Sequence, residues 1–144
     1  MPGVTPEIMR LAAEIRGTVG QLHRRLRQVD NGAVLTPSQT ALLVRLHREG
    51  PSTPGQLAAA ERVRQQSIGP ILAALDELGY LERSRDPKDG RRVVISLSAL
   101  GDKAVRGLLE HREEWIAEAL TTMTPSDRVT LAKALPVLQK LIQH

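Results

Sequence analysis

The chain contains no cysteine. That removes disulfide staples, thiolate nucleophiles, thiol redox sensing and cysteine-ligated metals together. Aromatic residues are almost as scarce: there is no phenylalanine, and Tyr80 and Trp115 are the whole complement. Proteins that read single strands or RNA loops stack bases on aromatic faces, so this composition argues against them. No apolar run approaches the roughly 20 residues needed to cross a bilayer. The opening residues, Met1-Pro2-Gly3-Val4-Thr5-Pro6-Glu7, lack the charged and apolar regions of a secretion signal. The expected setting is cytoplasmic, with no membrane partner.

What is present is a domain-sized chain of 144 residues, 41% apolar, with a net charge of +4. Met1–Arg92 holds 14 Lys/Arg against 10 Asp/Glu, whereas Val93–His144 holds 6 of each. The basic excess therefore sits in the first two thirds. Sixteen of the 20 basic residues are arginine, whose planar fork suits phosphates and guanine edges. A GC-rich coding sequence would give the same bias, so the bias alone decides little.

One local signal recurs. Thr36-Pro37-Ser38-Gln39, Thr53-Pro54-Gly55-Gln56 and Thr124-Pro125-Ser126-Asp127 share the order Thr, Pro, any residue, Gln or Asp. Threonine at the N-cap accepts a bond from the third helical amide, and proline at the first position forfeits only an amide already without a partner. Glutamine at the third position can return a bond to the cap. Three helix starts follow.

Apolar spacing gives the rest. Ile8, Leu11, Ile15, Val19, Leu22 and Leu26 form one stripe on a helix from about Pro6 to Val29. Helices follow over Pro37 to about Arg48 and Pro54 to about Glu61. A fourth carries Ile68, Ile71, Leu72, Leu75 and Leu78 and closes at Gly79. The period then shortens: Leu81–Arg83 and Val93–Leu97 read as strands around a loop with two turn signals, Asp86-Pro87 and Asp89-Gly90. Ser98 caps a long helix to about Thr122, and a last helix runs from Pro125. The expected fold is mainly α with a small β-hairpin: a winged helix-turn-helix flanked by long N- and C-terminal helices whose apolar stripes call for a partner.

Two segments resemble the MarR (multiple antibiotic resistance regulator) family. Leu57-Ala58, Val63, Ser67-Ile68, Leu75 and Gly79-Tyr80-Leu81-Glu82-Arg83 follow its helix-turn-helix, with Tyr80 where leucine is usual. Asp86-Pro87-Lys88-Asp89-Gly90-Arg91 and Val94-Ile95-Ser96-Leu97-Ser98 follow its wing. The resemblance implies a single domain over 1–144, with a winged-helix lobe at 36–98 and dimerisation helices at 5–30 and 99–143. It further implies a homodimer that regulates transcription on an inverted repeat, more often as a repressor. A helix from about Gln65 would enter the major groove and the wing the minor groove. A small, often phenolic, effector would release the DNA.

The residues themselves support a contact with double-stranded DNA. Arg64, Gln65, Gln66 and Ser67 open the recognition helix, where Arg can bind guanine, Gln adenine, and Ser base or phosphate. Pro70 falls inside that helix, which predicts either a start near Ser67 or a distorted first turn. In the hairpin, Arg91 suits a narrow minor groove. Asp89 would hold the tip, while Arg85, Lys88 and Arg92 would meet phosphates. Arg83 can instead pair with an acid and support the fold.

The other polar residues carry less. Arg24, Arg25 and Arg27 suit the negative end of their helix. His23, His47, His111 and His144 have no metal-ligand spacing, so no metal and no cofactor are expected. His23 or His47 could line an effector cavity. No nucleophile–base pair or carboxylate dyad points to an enzyme. The alternatives left open are a constitutive DNA binder and a winged-helix module for protein contacts, both without an effector.

Overall fold

The computed structural model describes residues 2–30 and 35–144. Its elements run α1 (Pro6–Val29), α2 (Pro37–Glu49), α3 (Pro54–Ala60), α4 (Gln65–Glu77), β1 (Leu81–Arg85), β2 (Val93–Leu97), α5 (Ala99–Thr121) and α6 (Pro125–Gln143). Mainly helical with one antiparallel hairpin, it matches the expected class. The first strand reaches two residues further than its sequence pattern, placing Arg85 in β1. Of Asp30-Asn31-Gly32, a sequence that reads as the end of the first helix, Asp30 is the C-cap, while Asn31 and Gly32 lie outside the described residues.

All three Thr-Pro signals start helices. Thr36 and Thr53 each accept the amide of the glutamine three residues on, and that glutamine bonds back to the cap amide. Thr124 accepts from the Asp127 amide without a return bond. Aspartate is one methylene shorter than glutamine, which accounts for the difference. A fourth instance, Thr5-Pro6, starts α1 through a bond from the Ile8 amide.

The core lies between residues 42 and 105. Leu42, Leu43 and Leu46 from α2 meet Leu57 and Ala58 from α3, together with Ile68, Leu72 and Leu75 from α4. Leu81 and Ile95 close it from the hairpin and Val105 from α5. Leu81 pairs with Leu97 and Arg85 with Val93 in the hairpin register. Ser52 extends the sheet by one bridge, exchanging both backbone bonds with Ile95 at 3.0 and 2.8 Å. That bridge seats the hairpin against the α2–α3 connection.

The outer helices contrast with this. Neither α1 nor α6 has a buried residue. Their apolar side chains are open: Leu11 at 55%, Leu135 at 59% and Leu141 at 56% exposure. Apolar stripes left open to water call for cover. α1 is nonetheless tied to α5 by Arg112, which donates to both carboxylate oxygens of Asp30 with neither side chain more than 17% exposed. Arg25 lies over the Trp115 ring, 5.5 Å from its centroid, at the same junction.

Among the described residues no helix is long and apolar enough to cross a membrane.

Candidate nucleic-acid interface

The turn between α3 and α4 sets the direction of the recognition helix. Glu61 caps α3, and Arg62 takes a left-handed conformation at φ 55°. The Val63 amide returns to the Ala58 carbonyl at 3.0 Å. From α2, Arg45 reaches across to this turn: its Nε donates to Glu61 at 2.7 Å and an Nη to the Ala60 carbonyl at 3.3 Å. A non-glycine residue at positive φ is disfavoured, and these bonds hold it there. Glu61 is the foremost cause, before Glu49, that raises the Arg45 pKa above its ordinary value.

α4 begins at Gln65 with Arg64 as N-cap in an extended conformation, and no side chain caps it. The Gln65 and Gln66 amides are therefore open, a local preference for anions. Arg64, Gln65, Gln66 and Ser67 are all exposed, while Ile68, Leu72 and Leu75 on the opposite side are buried.

Of the two outcomes that Pro70 left open, a start near Ser67 does not occur: the helix is continuous from Gln65 through Pro70. Its first turn carries a three-residue bond, Ser67 amide to Arg64 carbonyl at 2.8 Å. Proline removes the amide that would reach the Gln66 carbonyl. Gln66 and Pro70 are both exposed, so water can serve that carbonyl. Gln65 differs from Gln66. Its side-chain nitrogen lies over the first turn of α3, 3.7 Å from where a Cβ on Gly55 would stand.

The hairpin tip is built by two aspartates. Asp86 accepts the Lys88 amide at 2.9 Å and Asp89 the Arg91 amide at 3.1 Å. The backbone closes with Asp86 amide to Arg92 carbonyl and Arg92 amide to Asp89 carbonyl, both 3.0 Å. Asp89 does hold the tip, as its sequence position suggested. Asp86 does as much and was missed, although the Asp-Pro pair marked it. With both carboxylates engaged by amides, Arg85, Lys88 and Arg91 have no ion pair among the described residues, and Arg92 keeps only a 3.8 Å approach to Asp89. All four are exposed.

Arg83 belongs to the scaffold. Its guanidinium grips Asp76, at the end of α4, with Nε at 3.2 Å, tying β1 to the recognition helix. The remaining histidines do not cluster. His47 faces Asp102 at 3.4 Å, while His111 and Glu114, 3.8 Å apart, are both exposed. No group of three possible metal ligands forms among the described residues.

A concavity of about 720 Å³ lies between α1, α2 and α5. Arg24, Arg27, Arg45, Arg48 and Arg112 line it. His23 does too, and His47 does not.

A helix-turn-helix with an open-ended second helix, followed by a hairpin with a cationic tip, is a winged-helix DNA-binding unit. Residues 35–93 match the model of the MarR family. An HTH-type transcriptional regulator of Mycobacterium tuberculosis is 37% identical over 135 residues, 94% of each chain. A regulator of Mycobacterium leprae is 36% identical over the same span. Among solved structures, a transcriptional regulator of Pseudomonas aeruginosa superposes with a TM-score of 0.85 at 36% identity, over 98% of this chain and 99% of its own. The chain belongs to the MarR family of DNA-binding transcriptional regulators.

Proposed function

We propose that the chain works as a homodimer on an inverted-repeat operator and represses transcription until a small molecule releases it. The observation that carries the reading is the pairing of α4's uncapped start with a hairpin tip whose aspartates are spent on the backbone and whose Arg85, Lys88 and Arg91 have no ion pair among the described residues. In this reading Arg64, Gln66 and Ser67 face base edges and Gln65 and Pro70 border them. Arg91 enters the minor groove, and Arg85, Lys88 and Arg92 meet phosphates, each releasing about one counterion. Asp89 keeps Arg91 aimed.

The exposed stripes of α1 and α6 support a second copy as partner. Two subunits about a two-fold axis would read half-sites about 10 bp apart. The lobe over 36–98 would touch DNA and the helices over 5–30 and 99–143 would pair. The chemistry is binding in the cytoplasm, without catalysis or cofactor. Selection of bound duplexes from a random pool tests this: an inverted repeat is the expected product. Recovery of no common motif, or a monomer by light scattering at micromolar concentration, would overturn it.

A further inference from the structure

Two helices of the DNA-binding lobe end in the same way. After α4, the Gly79 amide returns to the Asp76 carbonyl at 2.9 Å and the Tyr80 amide to the Leu75 carbonyl at 3.1 Å. After α3, the Arg62 amide returns to the Ala59 carbonyl at 3.2 Å and the Val63 amide to the Ala58 carbonyl at 3.0 Å. Both ends need a left-handed residue just past the cap, and glycine fills that place without a Cβ penalty. Gly79 does so at φ 75°, whereas Arg62 does so at φ 55°. Among the described residues every other positive φ belongs to a glycine. Non-glycine residues in this region are mostly Asn, Asp or His. Arg62 also gains nothing from a neighbour: Glu61 is taken by Arg45 at 2.7 Å, and Arg62 is exposed without a side-chain hydrogen bond or ion pair among the described residues. Such strain persists only where the surroundings enforce it, and it gathers at functional sites.

We infer that Arg62 is a further DNA-contacting residue, whose guanidinium takes a backbone phosphate at the edge of the groove that α4 enters. In a helix-turn-helix the first helix crosses the backbone and the second lies in the major groove, so the turn between them passes over that edge. Arg62 precedes the N-cap Arg64 by two residues, a span of at most about 7 Å. A major groove about 12 Å wide leaves each phosphate row about 6 Å from a helix on its axis. An arginine fork at this place meets phosphate oxygens in pairs. Arg45 then has a purpose beyond the fold. By holding Glu61 and the Ala60 carbonyl it fixes the turn from which Arg62 projects. The contact rests on the DNA-binding reading of α4 and adds to it a residue that the motif did not mark.

The test sets folding against binding in the full chain. Arg62→Gly and Arg62→Asn remove the charge and accept the left-handed backbone, so neither should lower the thermal unfolding midpoint. Fluorescence anisotropy is read with a mixed-sequence duplex and with the inverted repeat recovered by selection. Both variants should bind about tenfold more weakly at about 0.1 M salt, the loss that one unreleased counterion gives. The slope of log affinity against log salt should fall by about one, equally on both duplexes, because phosphate contacts carry no sequence information. Arg62→Lys keeps the charge and should keep the slope.

An unchanged salt slope in both neutral variants would overturn the phosphate contact. So would a loss on the inverted repeat alone, which belongs to a base contact, or a lower midpoint in both neutral variants, which makes Arg62 part of the scaffold. Arg91→Ala keeps the two readings apart. Binding that weakens with Arg91→Ala but with neither neutral Arg62 variant leaves the hairpin in place and removes Arg62. A chain that ignores duplex DNA altogether sinks the functional reading and the contact with it.

Discussion

Gly101 sits so close to Tyr80 that a Cβ added to it would stand 2.1 Å from the Tyr80 carbonyl oxygen. The contact is part of a joint between α4 and α5. The Ser98 amide donates to the same carbonyl at 2.9 Å, and the Ser98 hydroxyl donates to the Gly79 carbonyl at 2.6 Å while accepting the Gly101 amide. Gly101→Ala should therefore lower stability by about 2–3 kcal/mol, as overpacking against backbone does, despite alanine's better helix propensity. Thermal unfolding of the variant checks it; an unchanged midpoint would contradict the joint.

Arg91→Ala should weaken binding to all duplexes and reduce the salt dependence by about one counterion. Fluorescence anisotropy across a salt series reads both effects. Equal affinity at every salt concentration would remove the hairpin from the mechanism.

The two glutamines should separate. Gln66→Ala is expected to relax preference at one or two base pairs, at about 1–3 kcal/mol of discrimination. Gln65, turned toward α3, should matter less to base preference when changed to alanine. Selections repeated with each variant compare them, and a larger loss of preference for Gln65→Ala would reverse the assignment.

Asp30→Ala should strand Arg112 in a setting where both partners are largely shielded, destabilising the chain by about 2 kcal/mol. Urea unfolding measures this. Asp30→Ala with Arg112→Leu should recover part of the loss, because no unpaired charge then remains.

Asp102 predicts a direction in pH. The Arg106 hydrogen bond lowers its pKa most; desolvation opposes this, and His47 adds to the lowering. A carboxyl lowered in the folded state stabilises above the pKa of the unfolded chain and loses that contribution as pH falls through the folded value. Stability followed below the ordinary carboxylate range should thus fall less in Asp102→Asn than in the parent. Identical acid limbs would rule the contribution out.

The scaffold was largely legible because its instructions are local. Thr36-Pro37, Thr53-Pro54 and Thr124-Pro125 mark helix starts within four residues, and Gly79 at φ 75° marks a stop. The exposed site residues could be named from motif position. What they touch could not be, since side-chain direction depends on neighbours distant in sequence. Gln65 leaning on α3 is one case. Arg45 is another: its charge reaches Glu61 sixteen residues on only once α2 and α3 have packed. Pro70 left two outcomes open because the rule about lost amides does not say whether the freed carbonyl is exposed and can turn to water.

The uncovered stripes of α1 and α6 imply that the midpoint of unfolding will climb as the sample is concentrated, because assembly by mass action adds to the stability of each chain. In a dilute cell extract the abundance of the protein would then set its resistance to proteolysis as well as its occupancy on DNA.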